Sequence, residues 1–201
     1  MRKEAAKRLY EIAETQQGFF TTKQAKSAGF AENTHPYHVQ AGNWIRQHRG
    51  IYRLASFPRG ERPDLTLWSL WSRNREEAVQ GVYSHQTALS LYDLSDVMPA
   101  KLHMTVPKSF RRNSEIPRVL ILYFADLPNN DIGATHGVRV TTPMRTMLDL
   151  IEGGEMPPAT LREALREGLR RGLIRGSEIA ESRKHLVDSK QLRSLFQKVT
   201  A

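Results

Sequence analysis

Residues 33–54 read NTHPYHVQAGNWIRQHRGIYRL, with three histidines and three arginines set among a few apolar residues. The first part suits a helix from Asn33 to about Ala41. Pro36 is tolerated there because it falls in the first turn, where the amide it lacks would have no intrahelical partner. Gly42 closes the helix. Two short alternating runs follow, Trp44-Ile45-Arg46 and Ile51-Tyr52-Arg53-Leu54, joined across Gln47-His48-Arg49-Gly50, which is the spacing of a β-hairpin.

Upstream, the pattern predicts two more helices. Leu9, Ile12 and Ala13 share one face of a helix over 3–15 that Gly18 ends. Thr21-Thr22-Lys23-Gln24 then has the form of a capping box opening a helix over 22–28, and Gly29 suits its left-handed end. Three helices followed by a hairpin, with a Gly-containing turn between the second and third, predict a winged helix-turn-helix over residues 1–56. In that arrangement the third helix enters the major groove and the hairpin lies against the DNA backbone or minor groove. Asn33, Thr34, His35, Tyr37, His38 and Gln40 are therefore the candidates for reading bases. Arg46, His48, Arg49 and Arg53 are the candidate cations of the wing, with Lys23 and Lys26 on flanking phosphates. Val39, Trp44, Ile45, Ile51 and Leu54 are assigned to the core.

FPRGERP, residues 57–63, concentrates Pro, Gly and charge without periodicity and reads as a linker. Residues 64–201 change character. An apolar helix carries Leu65, Leu67, Trp68, Leu70 and Trp71. Ser84 is expected to cap a helix through TALSLYDL, and strands are expected at 102–106, 119–124 and 138–141. Thr142-Pro143 supplies a cap and an N1 proline for a helix to Ile151. Beyond it, Thr160-x-x-Glu163 reads as a second capping box, with Leu161, Leu165, Leu169 and Leu173 at four-residue spacing beside Arg162, Arg166, Arg170 and Arg171. Short helices near 177–186 and 189–199 complete the reading. The fold class expected is α+β, a winged helix followed by a mixed α/β domain with a helical C-terminus.

Composition narrows the function. The 201 residues carry 30 Lys and Arg against 21 Asp and Glu, a formal charge of +9. That excess sits at the two ends: residues 1–56 are net +5, 57–150 net +1 and 151–201 net +3. Such a balance favours a polyanionic partner, since neutralising phosphates releases condensed counterions. With no cysteine, disulfides, thiolate metal sites and thiol nucleophiles are excluded. No apolar run approaches the roughly 20 residues of a membrane span, and the N-terminus lacks a signal-peptide core, so a cytoplasmic protein is expected.

Catalytic signatures are missing as well. There is no P-loop, no G-x-S-x-G and no H-E-x-x-H. Gly176-Ser177 is followed by no Asp-x-Asp pair to hold Mg²⁺. His35 and His38 stand at metal-ligand spacing, yet no carboxylate beyond Glu32 joins them. Ser84-His85 reads more simply as a helix cap and its neighbour than as a catalytic pair. A second basic cluster, Lys101, His103, Lys108, Arg111 and Arg112, falls at the ends of a strand and in its loop, facing DNA, an acidic partner or water.

GFFTTKQAKSAGF, YHVQAGNWIRQHRGIYRL, PDLTLWSLWSRNR, VYSHQTALSLYDLSD, KLHMTVPKSFRR and RVTTPMRTMLDLI occur in that order, and together they resemble the AbiEi family of antitoxins from type IV toxin-antitoxin systems over about residues 5–152. The resemblance implies an N-terminal winged helix that binds operator DNA and represses its own operon. It also implies a C-terminal domain that counters a nucleotidyltransferase toxin. Matched onto this chain, the implied recognition positions are Asn33, Thr34, Tyr37 and His38, and the wing positions Arg46, Arg49 and Arg53. Pro36 departs from the family pattern at the helix start. The expectation is a cytoplasmic DNA-binding antitoxin and autorepressor without enzyme activity, cofactor, metal or membrane partner. The alternatives are a metal-dependent nuclease or phosphotransferase and a ligand-responsive regulator.

Overall fold

The computed structural model describes residues 2–154, 156–185 and 197 and divides into two compact units, Met1–Gln80 and Gly81–Ala201. The helix expected over 189–199 lies outside the described residues except for position 197.

In the first unit, α1 (Arg2–Glu14) leads into a short strand, β1 (Phe19–Thr21), then α2 (Thr22–Ala28). A 3-10 turn at Glu32–Thr34 is continuous with α3 (His35–Gln40), and the hairpin follows as β2 (Trp44–His48) and β3 (Ile51–Leu54). These strands form an antiparallel sheet in the order β1-β3-β2, with Trp44 opposite Leu54 and Phe20 opposite Tyr52. This is a winged helix-turn-helix. The capping box expected at α2 forms in full: Thr21 accepts from the Gln24 amide while the Gln24 side chain accepts from the Thr21 amide, and Gly29 ends the helix at φ 107°. Pro36 sits within the first two positions of α3, preceded by the 3-10 turn, so the missing amide breaks no helical bond. β1 escaped the sequence reading because three residues, all buried, show no alternation.

α4 (Pro63–Trp71) belongs to this unit rather than to the next, so the boundary falls at 80/81 and not at 57–63. Side-chain bonds explain it. Thr21 Oγ1 donates to Glu77 Oε2 at 2.7 Å, Lys23 Nζ donates to the Arg75 carbonyl at 2.6 Å, and Arg73 reaches both Glu77 and Gln16. The His48 ring stands edge-on to Trp68 at 5.5 Å. The Pro- and Gly-rich stretch is therefore a surface loop within one packed body. Its start is pinned as well: Phe57 packs beside Gly18, and the Gly18 carbonyl accepts from the Leu54 amide at 2.9 Å.

The second unit is built on a five-stranded mixed sheet of order β6-β5-β4-β8-β7, comprising β4 (Val82–Tyr83), β5 (Leu102–Val106), β6 (Leu120–Phe124), β7 (Ile132–Thr135) and β8 (Val138–Thr141). β5 with β6 and β4 with β8 run parallel; the other neighbours are antiparallel. The helices are α5 (His85–Leu91), α6 (Pro143–Gly153), α7 (Pro158–Arg170) and α8 (Gly176–His185). Leu89, Met147, Leu150, Leu161, Leu165 and Ile174 form their shared core. Thr142 caps α6 as expected, accepting from the Arg145 amide. Two cap expectations fail. Ser84 occupies the N-cap position of α5, but its hydroxyl makes no cap bond because Thr105 and His85 engage it. α7 begins two residues before Thr160, at Pro158, whose missing amide costs nothing in a first turn, so the predicted capping box falls inside the helix.

Gly18 has φ 84°, and a Cβ there would stand 2.6 Å from the Phe57 ring. Gly18→Ala is expected to cost about 2 kcal/mol or more through left-handed strain and steric clash. Urea unfolding of the variant measures it, and a loss below about 0.5 kcal/mol would contradict the packing described.

Candidate nucleic-acid interface

Which side of α3 meets solvent is decided by one aromatic cluster. Trp44 is buried and contacts Phe20 (4.9 Å), Phe30 (5.1 Å), His35 (5.1 Å) and Tyr52 (5.7 Å), while His38 stacks on it at 4.6 Å and 20°. Two of the helix's six side chains are thus committed inward. His35, 2% exposed, also brings Nε2 to 3.3 Å from the Phe30 carbonyl. It is a core residue and not a base reader, which corrects the expectation. His38 is half-buried against Trp44 and Phe30, so its ring orients the helix.

The outward face is then fixed by helical period. Asn33, Pro36, Tyr37 and Gln40 are exposed at the i, i+3, i+4, i+7 spacing of one stripe. Tyr37, 66% exposed, projects furthest of the large side chains on this helix. Thr34 is half-buried and its hydroxyl donates to the Ala31 carbonyl at 2.6 Å, so it braces the 3-10 turn. The stripe offers an amide, a phenol and a second amide, side chains suited to base edges and phosphate oxygens.

On the hairpin, Arg46 and Arg49 are exposed and Gln47 between them joins the same surface. Two expected wing residues are not available. Arg53 is 5% exposed and donates Nη1 to the Phe57 carbonyl at 2.7 Å, tying the end of β3 to the following turn. His48 is turned toward Trp68, with Nδ1 buried and without a hydrogen-bond partner. The reason is register: Phe19 pairs with Arg53 and β1 takes the strand's outer side, so β3 is the central strand rather than an edge. A hairpin read from sequence as two strands carries no sign of that third one.

On α2, Lys26 pairs with Glu32 at 3.1 Å in an exposed ion pair, and Lys23 is held by the Arg75 carbonyl. The same contact sets Arg75, exposed and beyond the expected linker, beside α2. Sequence reasoning missed Arg75, since nothing local says that residues 73–79 fold back. Among the described residues no group of three or more His, Asp or Glu is placed to hold a metal ion, and no helix is long and apolar enough to cross a membrane.

This arrangement can be set against known proteins. Residues 7–55 match the family described as "Transcriptional regulator, AbiEi antitoxin". The winged helix is similar to that of AbiEi regulators. The match runs from within α1 through the hairpin and so includes the whole exposed stripe of α3 and both wing arginines. No curated protein matches the chain. Among solved structures, the crystal structure of the RV2827C protein from Mycobacterium tuberculosis is similar over 96% of this chain and 81% of that one, with a TM-score of 0.51 at 12% identity. That likeness is one of fold and extends beyond the AbiEi segment into the second unit.

In the second unit the expected basic cluster divides. Lys101, Lys108, Arg111 and Arg112 are exposed, but His103 is 4% exposed with Nδ1 2.9 Å from the Tyr123 hydroxyl. It belongs to a buried polar group. His85 lies flat on Tyr123 at 3.5 Å, its Nδ1 is 3.0 Å from Ser84 Oγ, and Thr105 Oγ1 donates to the same oxygen at 2.8 Å. Ser84 is fully buried, which leaves no approach for a substrate to its hydroxyl. His85 takes a left-handed backbone, φ 51°, to make these contacts.

Burial, helped by the nearby His103 and Arg145, pushes His85 down to about 4, whereas an unfolded histidine titrates near ~6.5. Between those values the unfolded chain binds the extra proton. His85 therefore lends full stability above about 6.5 and loses it as pH falls toward 4. His85→Asn, which tolerates the left-handed φ, is expected to flatten that loss by an amount on the order of 2–3 kcal/mol. Urea unfolding from pH 7 to 4 compares the two proteins, and equal slopes would acquit His85.

Proposed function

We propose that this chain is a DNA-binding antitoxin that represses its own operon and counteracts a nucleotidyltransferase toxin. The observation that carries the DNA-binding part is the exposed α3 stripe of Asn33, Tyr37 and Gln40 beside the free-standing wing arginines, Arg46 and Arg49. Inserted in the major groove, α3 would present its amides and phenol to base edges while the arginines neutralise backbone phosphates. Arg75 adds a cation on the α2 side. The autorepressor and antitoxin roles are supported by the AbiEi match of the same segment and by the ordered motifs that continue to residue 152.

Phosphate and base contacts leave different signatures. Arg46→Ala and Arg49→Ala are each expected to weaken binding to all duplexes and to lower the log-log salt slope by about one unit. Tyr37→Ala should instead cost about 1–3 kcal/mol on operator DNA and much less on random DNA. Arg53→Ala is the internal control: it should lower the unfolding free energy without changing the salt slope. Electrophoretic or anisotropy titrations against salt give the four binding results, and urea unfolding gives the stability of Arg53→Ala. An unchanged slope in both arginine variants, with no loss of affinity in Tyr37→Ala, would place the interface elsewhere.

Neutralisation is assigned to the second unit, apart from the DNA face. Co-expression of the toxin with the Asn33→Ala, Tyr37→Ala, Arg49→Ala triple variant should still restore growth, from a promoter the antitoxin does not control. Toxicity despite a folded, abundant variant would tie neutralisation to DNA binding.

A further inference from the structure

Among the described residues, β6 ends the five-stranded sheet and has a strand neighbour on one side alone. Edge strands of soluble proteins are usually guarded by a charge, a proline, a bulge or a covering segment, because their free amides and carbonyls invite another strand. Leu120-Ile121-Leu122-Tyr123-Phe124 contains neither charge nor proline, and its pairing to β5 runs without a bulge from Leu102–Leu120 to Val106–Phe124. Large apolar side chains gather there as well. Phe124 is 51% exposed, and Val119 and Ile116 just before the strand are also exposed. The opposite edge, β7, has the sequence IGAT and no exposed large apolar side chain.

Backbone parity tells which groups are free. The Leu102 amide donates to the Val119 carbonyl at 2.8 Å and the Ala125 amide to the Val106 carbonyl at 3.0 Å, so the odd-numbered positions of this strand turn toward β5. In a parallel ladder the alternate positions point the other way, which directs the amides and carbonyls of Leu122 and Phe124 outward. An antiparallel partner centred on Leu122 would meet them in register. If that partner is the same strand of a second copy, Leu122 faces Leu122 and Leu120 faces Phe124. The start of one strand then lies beside the end of the other. That brings Arg118, exposed in the turn leading in, next to Asp126, exposed two residues after the strand. Asp126 is already oriented, since Oδ1 accepts from the Lys108 amide at 3.1 Å and leaves its other oxygen for a guanidinium. A single two-fold operation thus satisfies the free backbone, covers Phe124 and pairs opposite charges twice.

We propose that two copies of this chain associate through β6, antiparallel about a two-fold axis at Leu122, into one continuous ten-stranded sheet. The pairing stands independently of the DNA-binding reading. Where both hold, a two-fold dimer would present two winged helices to an operator with inverted half-sites.

Sedimentation velocity of the full chain from about 1 to about 100 µM is expected to show a reversible monomer–dimer equilibrium. Arg118→Asp alone and Asp126→Arg alone each place like charges together and should weaken the dimer about tenfold or more, whereas the double exchange should restore it. Asp126→Asn retains an acceptor for the Lys108 amide and should weaken the dimer less, which separates loss of charge from loss of loop structure. Circular dichroism confirms that each variant is folded. A chain that stays monomeric at the highest concentration would overturn the proposal and leave the edge to another occupant, such as a strand of a partner protein or the chain's own last residues. A dimer indifferent to both single exchanges, or not restored by the double one, would also overturn it by placing the contact elsewhere.

Discussion

The first unit turns on the packing of Trp44. Its indole, carried on β2, collects Phe20 from β1, Phe30 from the turn, His35 and His38 from α3 and Tyr52 from β3, so all three strands and α3 meet at one ring. Aromatic pairs at these separations add about 0.5–1.5 kcal/mol beyond the area they bury. The larger consequence is orientational. With His35 and His38 held on the indole, the 3.6-residue period leaves one possible outward stripe, that of Asn33, Pro36, Tyr37 and Gln40. The stripe left to solvent is set by what the helix buries.

A second constraint extends the unit past its hairpin. Glu77, at φ 65°, accepts from Thr21 at the start of α2 and pairs with Arg73, whose own charge is disfavoured by burial and held by that carboxylate. Trp68 covers the His48 ring on the wing. The helix-turn-helix and the wing are therefore braced from behind by residues 63–79. Rigid support of this kind holds the outward side chains of a short helix of six residues in fixed positions.

The second unit holds one polar cluster inside its core. Ser84, His85, His103, Thr105 and Tyr123 satisfy one another between α5 and the sheet, and the left-handed φ of His85 is the conformational cost of that network. Nearby, Arg145 donates to Asp149 and Asp131, and burial raises the Asp149 carboxyl despite its partner. Lys101, Lys108, Arg111 and Arg112 are exposed on this unit.

By itself the sequence determined the order of the three helices and the hairpin in the winged helix, the caps of α2 and α6, the N-terminal place of Pro36 and the resemblance of residues 7–55 to AbiEi regulators. Those features are local: a cap needs a side chain within four residues of its amide, and a helix face repeats every three to four. What tertiary structure decided were the features that depend on distant neighbours. Whether His35, His48, Arg53 and His103 face water or core is set by Trp44, Trp68, β1 and Tyr123, none of which alters the local pattern around them. The domain boundary moved for the same reason, since Pro, Gly and charge mark a turn equally well whether the chain beyond it departs or folds back. A cation's spacing along the chain makes it a candidate; only the packing beneath it leaves it free to bind.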